Sequence, residues 1–347
     1  MSTVPTPLPA AGARPPAHTL VLAPMMARTD EAFRWMLRHV TRHTLLTTEM
    51  VATRALLHGD RDGLAPVAED GPVAYQLGGN DPAELAECAR IVVDRGYDEV
   101  DLNCGCPSDR ATEGTFGACL MERPELVAAG VAAMKAAVDV PVTVKCRIGT
   151  DRTGSYAELL DFVDRVVAAG ADRVHVHARI AVLGGLDGSG ALSTRANRSV
   201  PPLRHDDVRR LKAERPDVPI VLNGGIRTLD EVEAHLAHVD GVMLGRAAYD
   251  DPYLFAAADQ RVFGDTSEAA LRPPARTDVV RAFAAWSEDR FGAVLPKHVD
   301  HLGGWFHGVP GSRRWRQLLA DLRRLQRITA ADVDAALARL PDEALAA

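Results

Sequence analysis

Residues 102–108, with the sequence LNCGCPS, hold two cysteines in a turn that Gly105 and Pro107 restrict. The turn follows a strand-like run that ends at Asn103. A thiol in this position can attack a bound molecule, donate a proton to it, or be a buried structural residue. For Cys106, attack lacks a recognisable base, whereas an ordinary thiol is mostly protonated near neutral pH and suits the completion of a hydride transfer. The residues alone leave these interpretations open.

Two glycine-containing segments have the composition of a phosphate-binding site. Residues 223–226 (NGGI) and the pair Gly245-Arg246 follow consecutive strand-like runs. Gly224 and Gly225 allow backbone N–H groups to approach an anion, and Arg246 supplies a permanent charge with several donors. The glycines alone could make no more than a tight turn. The paired signal after adjacent strands favours the phosphate site.

Three further polar residues end strand-like runs: Gln76, Lys145 and His177. Taken singly, a solvated lysine or a hydrogen-bonded core histidine is the ordinary explanation. Together their donors fit a planar heterocycle such as a flavin ring lying across the strand ends. No GxGxxG sequence opens a βαβ unit, which argues against a Rossmann dinucleotide domain.

Composition narrows the class of protein. The chain has 347 residues, 47% of them hydrophobic, and a net charge of -7, which excludes a fibrous or generally basic nucleic-acid-binding protein. Five scattered cysteines argue against a disulfide framework, and the CxC spacing of Cys104 and Cys106 is not that of a zinc site. No apolar run approaches the roughly 20 residues that span a bilayer, and no secretory signal is recognisable. These features predict a cytoplasmic protein without a metal.

The elements that must position these residues form a regular series. Eight short apolar runs read as buried strands: residues 19–25, 45–50, 73–77, 99–103, 141–146, 173–177, 219–223 and 241–245. Between most of them lie helical patterns: residues 30–42, 81–95, 125–137, 157–169, 206–214 and 229–237. Eight strands alternating with helices predict an α/β fold, a (β/α)₈ TIM barrel over residues 19–260, with its site at the carboxyl ends of the strands.

The remaining segments differ in composition from the barrel. Residues 1–18 are rich in proline without periodic apolar residues, and are predicted to be a disordered tail. Residues 278–347 are rich in Ala, Leu and Arg and predict a C-terminal helical domain. Within it, residues 297–327 contain seven Lys and Arg against two Asp, a net charge of +5. This basic stretch is typical of a surface that binds a polyanion.

Seven short segments in a fixed order carry a family resemblance over about residues 19–320: APMM at 23–26, LNCGCPSDR at 102–110, GACLM at 117–121, KCRIG at 145–149, HAR at 177–179, NGGI at 223–226 and GR at 245–246. Together they resemble the motifs of the tRNA-dihydrouridine synthases, most closely the A-type enzymes. Residues 180–183 (IAVL) depart from the family pattern, which has a Lys or Asn and a Trp there, and residues 184–190 are longer than usual.

The resemblance implies an FMN-bound barrel followed by a helical tRNA-binding domain. The implied FMN contacts are Pro24, Met25, Met26, Gln76, Lys145, His177, Asn223, Gly224, Gly225, Gly245 and Arg246. NADPH would reduce FMN, the flavin would pass hydride to uracil C6, and Cys106 would protonate C5 as the general acid to yield 5,6-dihydrouridine. Asn103 and Lys145 would donate to the uracil carbonyls and stabilise the enolate-like charge that develops.

The resemblance also implies four arginines that bind tRNA. Arg195 and Arg198 lie in residues 193–198 (STRANR), and Arg313 and Arg316 lie in residues 308–316 (GVPGSRRWR). Contacts to phosphates would fix the orientation of the tRNA, and so would select uridines 20 and 20a of the D-loop, whose bases can be splayed out. For each arginine the alternative is a solvated helix face.

The expected partner is therefore tRNA, bound through its D-loop by a monomer, without DNA or a membrane. Two other functions are compatible with the residues. An FMN barrel could reduce a free small pyrimidine, although such a substrate needs no basic helical domain. A tRNA-binding protein without catalysis is the third possibility, and Cys106, Lys145 and His177 argue against it.

Overall fold

Eight parallel strands close into a barrel in chain order. The computed structural model describes residues 14–59, 71–108, 115–184 and 191–345. The strands are β1 (Leu20–Leu22), β2 (Leu45–Ala52), β3 (Val73–Gly78), β4 (Glu99–Cys104), β5 (Val142–Arg147), β6 (Arg173–His177), β7 (Ile220–Asn223) and β8 (Gly241–Leu244). The predicted (β/α)₈ barrel is confirmed.

Two strands differ in length from the prediction by more than one residue. β1 ends at Leu22 and not at residue 25, because Pro24 lacks the N–H group that would continue the ladder. β2 continues to Ala52, and its pairing with β3 changes register between Thr47 and Met50. This irregularity in β2 bends the strand where the chain enters the mouth of the barrel.

Helices surround the barrel and follow the strands in alternation. They are α1 (Glu31–Arg38), α2 (Thr53–His58), α3 (Pro82–Asp94), α4 (Pro124–Lys135), α5 (Tyr156–Ala168), α6 (His205–Glu214), α7 (Leu229–Leu236) and α8 (Arg246–Asp250). The starts of four of them are fixed by side-chain caps: Asp30 and Asp81 accept from the first turns of α1 and α3, and Ser155 and Thr228 form capping boxes on α5 and α7. The short α2 was not predicted.

The two faces of the strands differ sharply in polarity. Val100, Leu102 and Cys104 of β4 are buried in the apolar layer between strands and helices. The alternate residues Glu99, Asp101 and Asn103 have the opposite orientation, because successive side chains of a strand point to opposite faces. β5 repeats the pattern with Thr143, Lys145 and Arg147 alternating with apolar residues. Much of the barrel interior is therefore polar.

The chain after β8 is helical. It forms α9 (Ala258–Arg261), α10 (Glu268–Leu271), α11 (Arg276–Phe291), α12 (Pro296–His301), α13 (Ser312–Leu322), α14 (Ala330–Leu337) and α15 (Asp342–Leu345). Short 3-10 turns occur at Ala17–Thr19, Gly117–Glu122, Ala196–Arg198, Pro252–Ala257 and Leu302–Gly304. The first long helix of this region starts two residues before the predicted domain boundary at 278. The division into two domains stays a prediction.

The C-terminal helices pack against α1 of the barrel. Trp286 of α11 stacks on Trp35, with ring centroids 5.0 Å apart. His301 Nε2 donates to Asp30 Oδ1 at 2.9 Å, and Asp30 also accepts from Phe33 N as the N-cap of α1. Although burial opposes it, the hydrogen bond from His301 lowers the pKa of Asp30 to about 2. An aromatic stack and an ionised, partly buried carboxylate thus join the two regions.

Part of the chain lies outside the described residues. Residues 1–13 of the predicted disordered tail and residues 185–190 of the long stretch after β6 belong to it. The end of the predicted tail is described, and Ala17–Thr19 makes a 3-10 turn that leads into β1. Among the described residues, no helix has the length and apolar character needed to cross a membrane.

Candidate active site

Cys106 lies on the turn that follows β4, and its thiol is half-buried. The turn is held from both sides: Asn103 Oδ1 accepts from the backbone N–H groups of Gly105 and Cys106 at 3.0 and 2.9 Å, and Ala118 N donates to Cys106 O at 2.8 Å. The thiol donates to Ser108 Oγ at 3.3 Å. The structure therefore presents the Cys106 thiol at the carboxyl end of β4 as a hydrogen-bond donor.

Asn103 and Gln76 are joined by their amide groups inside the barrel. Asn103 Nδ2 donates to Gln76 Oε1 at 2.7 Å, and Gln76 Nε2 donates to Asp101 Oδ2 at 2.7 Å. Only 7% of Asn103 and 1% of Gln76 are exposed. Each amide nitrogen has two hydrogens, so each residue keeps one for a ligand. That free donor is what the predicted uracil contact of Asn103 and flavin contact of Gln76 require.

Asp101 extends this series of hydrogen bonds toward the amino-terminal end of the barrel. Thr143 Oγ1 lies 2.9 Å from both Asp101 Oδ1 and Glu99 Oε1, and Glu99 pairs with Arg173. The hydroxyl of Thr143 has one hydrogen and can donate to only one of these two carboxyl groups. The second contact is a hydrogen bond only if the other carboxyl group is protonated and donates to the hydroxyl oxygen. Burial raises the pKa of Asp101 to about 6, which makes it the group that takes up this proton as the pH falls.

Lys145 and His177 lie on neighbouring strands and have few partners. Lys145 Nζ donates to Asn223 Oδ1 at 3.4 Å, and desolvation, assisted by Arg147, lowers the pKa of Lys145 to about 8. Among the described residues the His177 ring makes no hydrogen bond, and burial holds its pKa well below the ordinary value. A desolvated amine and a neutral imidazole without partners fit a polar ligand such as a flavin ring or its phosphate.

The two glycines after β7 make a concave backbone that a side chain would fill. Gly224 has φ +116°, and a Cβ there would lie 2.7 Å from Cδ2 of His177. Gly225 has φ +82°, and a Cβ would lie 2.5 Å from Cδ1 of Leu203. His205 Nε2 donates to Gly224 O at 2.7 Å and fixes the turn. This approach of bare backbone to His177 is the geometry that an anion cradle needs.

The turn after β1 contains Pro24, Met25 and Met26. Met25 is buried with its sulfur 3.9 Å from where a Cβ on Gly245 would lie, whereas Met26 is 60% exposed. The next residue, Ala27, has φ +57°, and its N–H donates to the carboxylate of Glu49 in β2. A left-handed alanine is unfavourable, so Glu49 helps to hold this turn in its conformation.

A group of arginines surrounds the mouth of the barrel: Arg28, Arg147, Arg179, Arg195, Arg198 and Arg246. Among the described residues none of them has a carboxylate partner. Burial, together with the neighbouring charge of Arg246, lowers the pKa of both Arg179 and Arg198. Mutual repulsion of this kind is relieved when a polyanion binds.

Arg147 and Asn197 are site residues that the sequence interpretation did not single out. Arg147 donates to Gly105 O at 2.8 Å and to the carbonyls of Ile180 and Asn197 at 3.0 Å. Asn197 is fully buried and bonds Val182 and Leu192. The segment that carries Arg195 and Arg198 is thereby tied to the Cys106 turn. The signal was the position of Arg147, two residues after Lys145 on the same face of β5.

The four arginines predicted to bind tRNA lie in two places. Arg198 is half-buried beside Arg246, which donates to Arg198 O at 2.9 Å, while Arg195 is exposed. Arg313 and Arg316 are exposed in the first turns of α13, which has no acidic residue in its first turn and no side-chain cap. In the described chain they form no ion pair. The barrel thus gathers Arg195 and Arg198 at its mouth, and Arg313 and Arg316 remain on the helical region.

The described residues offer no cluster of His, Cys, Asp and Glu that could hold a metal ion. All five cysteines are free thiols. Cys104 is fully buried, and burial raises its pKa well above the ordinary value, so it is not suited to proton transfer.

The sequence matches the family model described as "Dihydrouridine synthase (Dus)" over residues 21–340. Proteins named tRNA-dihydrouridine(20/20a) synthase are among its curated relatives. The one from Synechocystis sp. is 49% identical over 88% of this chain and 89% of its own length. The one from Pseudomonas aeruginosa is 51% identical over 86% and 88%, and the one from Salmonella typhi is 46% identical over 94% and 97%.

Among solved structures, a 2-naphthoyl-CoA reductase in complex with 2-naphthoyl-CoA has a similar fold. The TM-score is 0.52 at 14% identity, with 70% of this chain and 50% of that chain covered. At this identity the similarity concerns the fold alone.

Proposed function

Because the chain belongs to the dihydrouridine synthase family, we propose that it reduces the C5=C6 bond of uridines 20 and 20a in the D-loop of tRNA, with FMN as cofactor and NADPH as reductant. The observation that carries the proposal is the Cys106 turn, whose thiol donor lies at the carboxyl end of β4, in a chain matched along residues 21–340. A tRNA substrate implies that the reaction takes place in the cytoplasm.

The proposed FMN site uses the turn residues Pro24, Met25 and Met26 and the strand-end donors Gln76, Lys145 and His177. The phosphate would be bound by the backbone around Gly224 and Gly225, with Asn223, Gly245 and Arg246 beside it. Two observations support this site. A Cβ at Gly224 or Gly225 would clash with His177 or Leu203, so the backbone there must be glycine, and the His177 ring makes no hydrogen bond among the described residues. When bound and reduced, FMN supplies the hydride for uracil C6.

The residues of the chain do the remaining work. Cys106 donates a proton to C5. The thiolate that remains lies near the positive charges of Arg147 and Arg198, and the thiolate and the two guanidinium groups stabilise one another. Lys145 and the free amide hydrogen of Asn103 donate to the uracil carbonyls as negative charge develops on them. Hydride at C6 and a proton at C5 add up to the two hydrogens of 5,6-dihydrouridine.

Binding of tRNA is assigned to the arginines at the mouth and on α13. Arg195 and Arg198 contact phosphates near the flipped uridine, and Arg313 and Arg316 contact a second stretch of backbone. Two separated contact regions fix the orientation of a rigid tRNA, and so decide which uridine enters the barrel.

The test uses purified protein loaded with FMN, NADPH and an unmodified tRNA transcript. We expect a flavin absorbance band, release of FMN on denaturation, and dihydrouridine in the transcript. The Cys106→Ala variant retains the flavin band, and its turnover falls by a factor on the order of 100 or more, as for loss of a general acid. Reduction of free uridine or uracil without reduction of tRNA would contradict the proposal, and full turnover of Cys106→Ala would remove the role of the thiol.

A further inference from the structure

A chain of buried hydrogen bonds leads from Asp101 to the backbone of the Cys106 turn. Asp101 Oδ2 accepts from Gln76, Gln76 Oε1 accepts from Asn103, and Asn103 Oδ1 accepts from the N–H groups of Gly105 and Cys106. The four hydrogen bonds are short: both contacts between side chains measure 2.7 Å, and the two backbone contacts of Asn103 Oδ1 measure 3.0 and 2.9 Å. Asp101 is 2% exposed.

The direction of this chain is fixed by its two ends. A primary amide has one end that donates and one end that accepts, and nothing in its shape distinguishes them. At the upper end, two backbone N–H groups demand an acceptor, so Asn103 must present its oxygen to the turn. At the lower end, Asp101 Oδ2 accepts from Gln76, which turns the oxygen of Gln76 toward Asn103. If the amide of Asn103 were flipped, its NH₂ group would face the backbone N–H groups of Gly105 and Cys106, and no acceptor would lie between them.

We propose that Asp101 is the positioning residue of the Cys106 turn, acting through the amide orientation of Gln76 and Asn103. The acceptor at Asp101 holds the Asn103 oxygen under the turn and keeps one amide hydrogen of each residue free for ligands. The consequence for catalysis rests on the proposed function. The effect of Asp101 on the conformation of the Cys106 turn does not, because it can be measured in the protein without cofactor or substrate.

Asparagine and leucine are the matched replacements, because both are close to aspartate in size. In Asp101→Asn, the amide oxygen accepts from Gln76 and the amide nitrogen donates to Thr143 Oγ1, which then donates to Glu99. The chain therefore keeps its direction. In Asp101→Leu, Gln76 loses its acceptor, and the buried amides can flip or separate.

The readout is the alkylation rate of Cys106 by iodoacetamide in the FMN-free protein, resolved by peptide mass spectrometry. Asp101→Leu is expected to release the turn and speed alkylation by about tenfold or more, whereas Asp101→Asn stays within about threefold of wild type. Cys119 serves as the internal reference, because its thiol donates to Phe116 O at 3.2 Å and takes no part in the chain. The buried Cys104 and Cys146 react only if the barrel opens, so they report the loss of the fold.

A second variant keeps the test decisive if Asp101→Leu does not fold. Gln76→Met cuts the same chain and leaves Asp101 beside Thr143, and it is expected to speed Cys106 alkylation in the same way. Alkylation of Cys106 at the wild-type rate in the folded leucine or methionine variant would overturn the proposal. So would an asparagine variant as fast as the leucine variant, because charge and not the acceptor would then hold the turn.

Turnover gives an independent readout. With FMN, NADPH and tRNA, misplacement of the thiol lowers kcat of Asp101→Leu by up to about 100-fold with a small change in KM, and Asp101→Asn recovers most of it. If the wild-type protein did not reduce tRNA, the proposed function would fail while the alkylation result still decided the role of Asp101.

Discussion

At the scale of single residues, the charge of Lys145 depends on pH close to neutrality. Desolvation and the neighbouring Arg147 lower its pKa from the ordinary 10.5 to about 8, whereas Asp101 acts in the opposite direction. A folded-state pKa below the ordinary value means that the ammonium form is present below about pH 8 and is lost as the pH rises through that value. The donor that we propose to face a bound flavin is therefore weakened on the alkaline side of neutrality.

We expect the affinity of the FMN-free protein for FMN to fall by about tenfold between pH 7 and pH 9, because Lys145 loses its charge. In Lys145→Met the affinity is weak and independent of pH over this range. Lys135→Met is the matched control, since Lys135 pairs with Asp172 at the end of α4 and should leave the wild-type curve unchanged. Quenching of FMN fluorescence measures the affinity. A wild-type curve as flat as that of Lys145→Met would show that this amine does not contact the flavin.

The sequence predicted polar residues at the carboxyl ends of the strands, but not the polar residues deeper inside the barrel. Gln76, Lys145 and His177 could be found because each ends an apolar run. Asp101 and Thr143 lie within the strands, and no terminal signal marks them. The signal was the alternation of Glu99, Asp101 and Asn103 with apolar residues, since period two in a barrel strand assigns a polar face to the interior.

At the scale of elements, the turn after β1 depends on β2. Ala27 adopts a left-handed conformation at φ +57°, and its N–H is held by the carboxylate of Glu49. Thr29 Oγ1 accepts from Met25 N at 2.9 Å, and Arg34 donates to Thr29 O at 2.7 Å. The turn assigned to FMN is therefore preorganised by residues that do not contact the cofactor in the proposed site.

Replacing Glu49 by leucine is expected to weaken FMN binding by about tenfold, because the strained turn loses its acceptor. Glu49→Gln keeps an acceptor oxygen and stays close to wild type. Ala27→Gly removes the strain of about 1 kcal/mol that an L-residue pays in this region, so it should partly restore binding in the leucine background. Fluorescence titration with FMN compares the four proteins. Equal affinities for Glu49→Leu and Glu49→Gln would rule out the role of the carboxylate.

The β1 turn also shows what an apolar run does not reveal. Residues 19–25 indicated a single strand, yet the strand stops at Leu22 and the following residues form the turn. Only Pro24 signals the stop. The contact of Ala27 with Glu49 joins the turn to β2, and no local sequence pattern connects the two. Glu49 lies within the irregular register of β2 between Thr47 and Met50, which depends on the pairing of β2 with β3 and has no local signal in the sequence.

At the scale of the whole molecule, charge is distributed unevenly. The net charge is -7, but the arginines at the barrel mouth have no carboxylate partners in the described chain. Of the basic residues at 297–327, Lys297, Arg323, Arg324 and Arg327 are paired with carboxylates, whereas Arg313 and Arg316 are not. Cations in the uncapped first turns of α13 also oppose its helix dipole. Such an arrangement does not favour the fold, and it is what the proposed contacts to tRNA phosphates require.

Replacing Arg313 and Arg316 together by alanine is expected to weaken tRNA binding at every salt concentration. The slope of log affinity against log salt should fall by about 1 to 2, as for the loss of one or two phosphate contacts. FMN binding should not change. The matched control replaces Arg323 and Arg324, which are exposed but paired with Asp300 and Asp321. If both double variants had the same slope as wild type, α13 would have no part in binding tRNA.

The arrangement of the barrel and the C-terminal helices could be predicted only in part. Eight apolar runs predicted closure, and the loss of the strand pattern after residue 251 predicted helices. The contact between them depends on Trp35 with Trp286 and on Asp30 with His301, pairs far apart in the chain. A sequence shows such residues as ordinary members of helical patterns, because their partners are set by packing and not by local spacing.

The most direct test of the account maps dihydrouridine in tRNA from a strain that lacks the gene. We predict that dihydrouridine is lost at positions 20 and 20a alone, that wild-type protein restores it, and that Cys106→Ala does not. Unchanged dihydrouridine at these positions in the deletion strain, or its restoration by Cys106→Ala, would contradict the account.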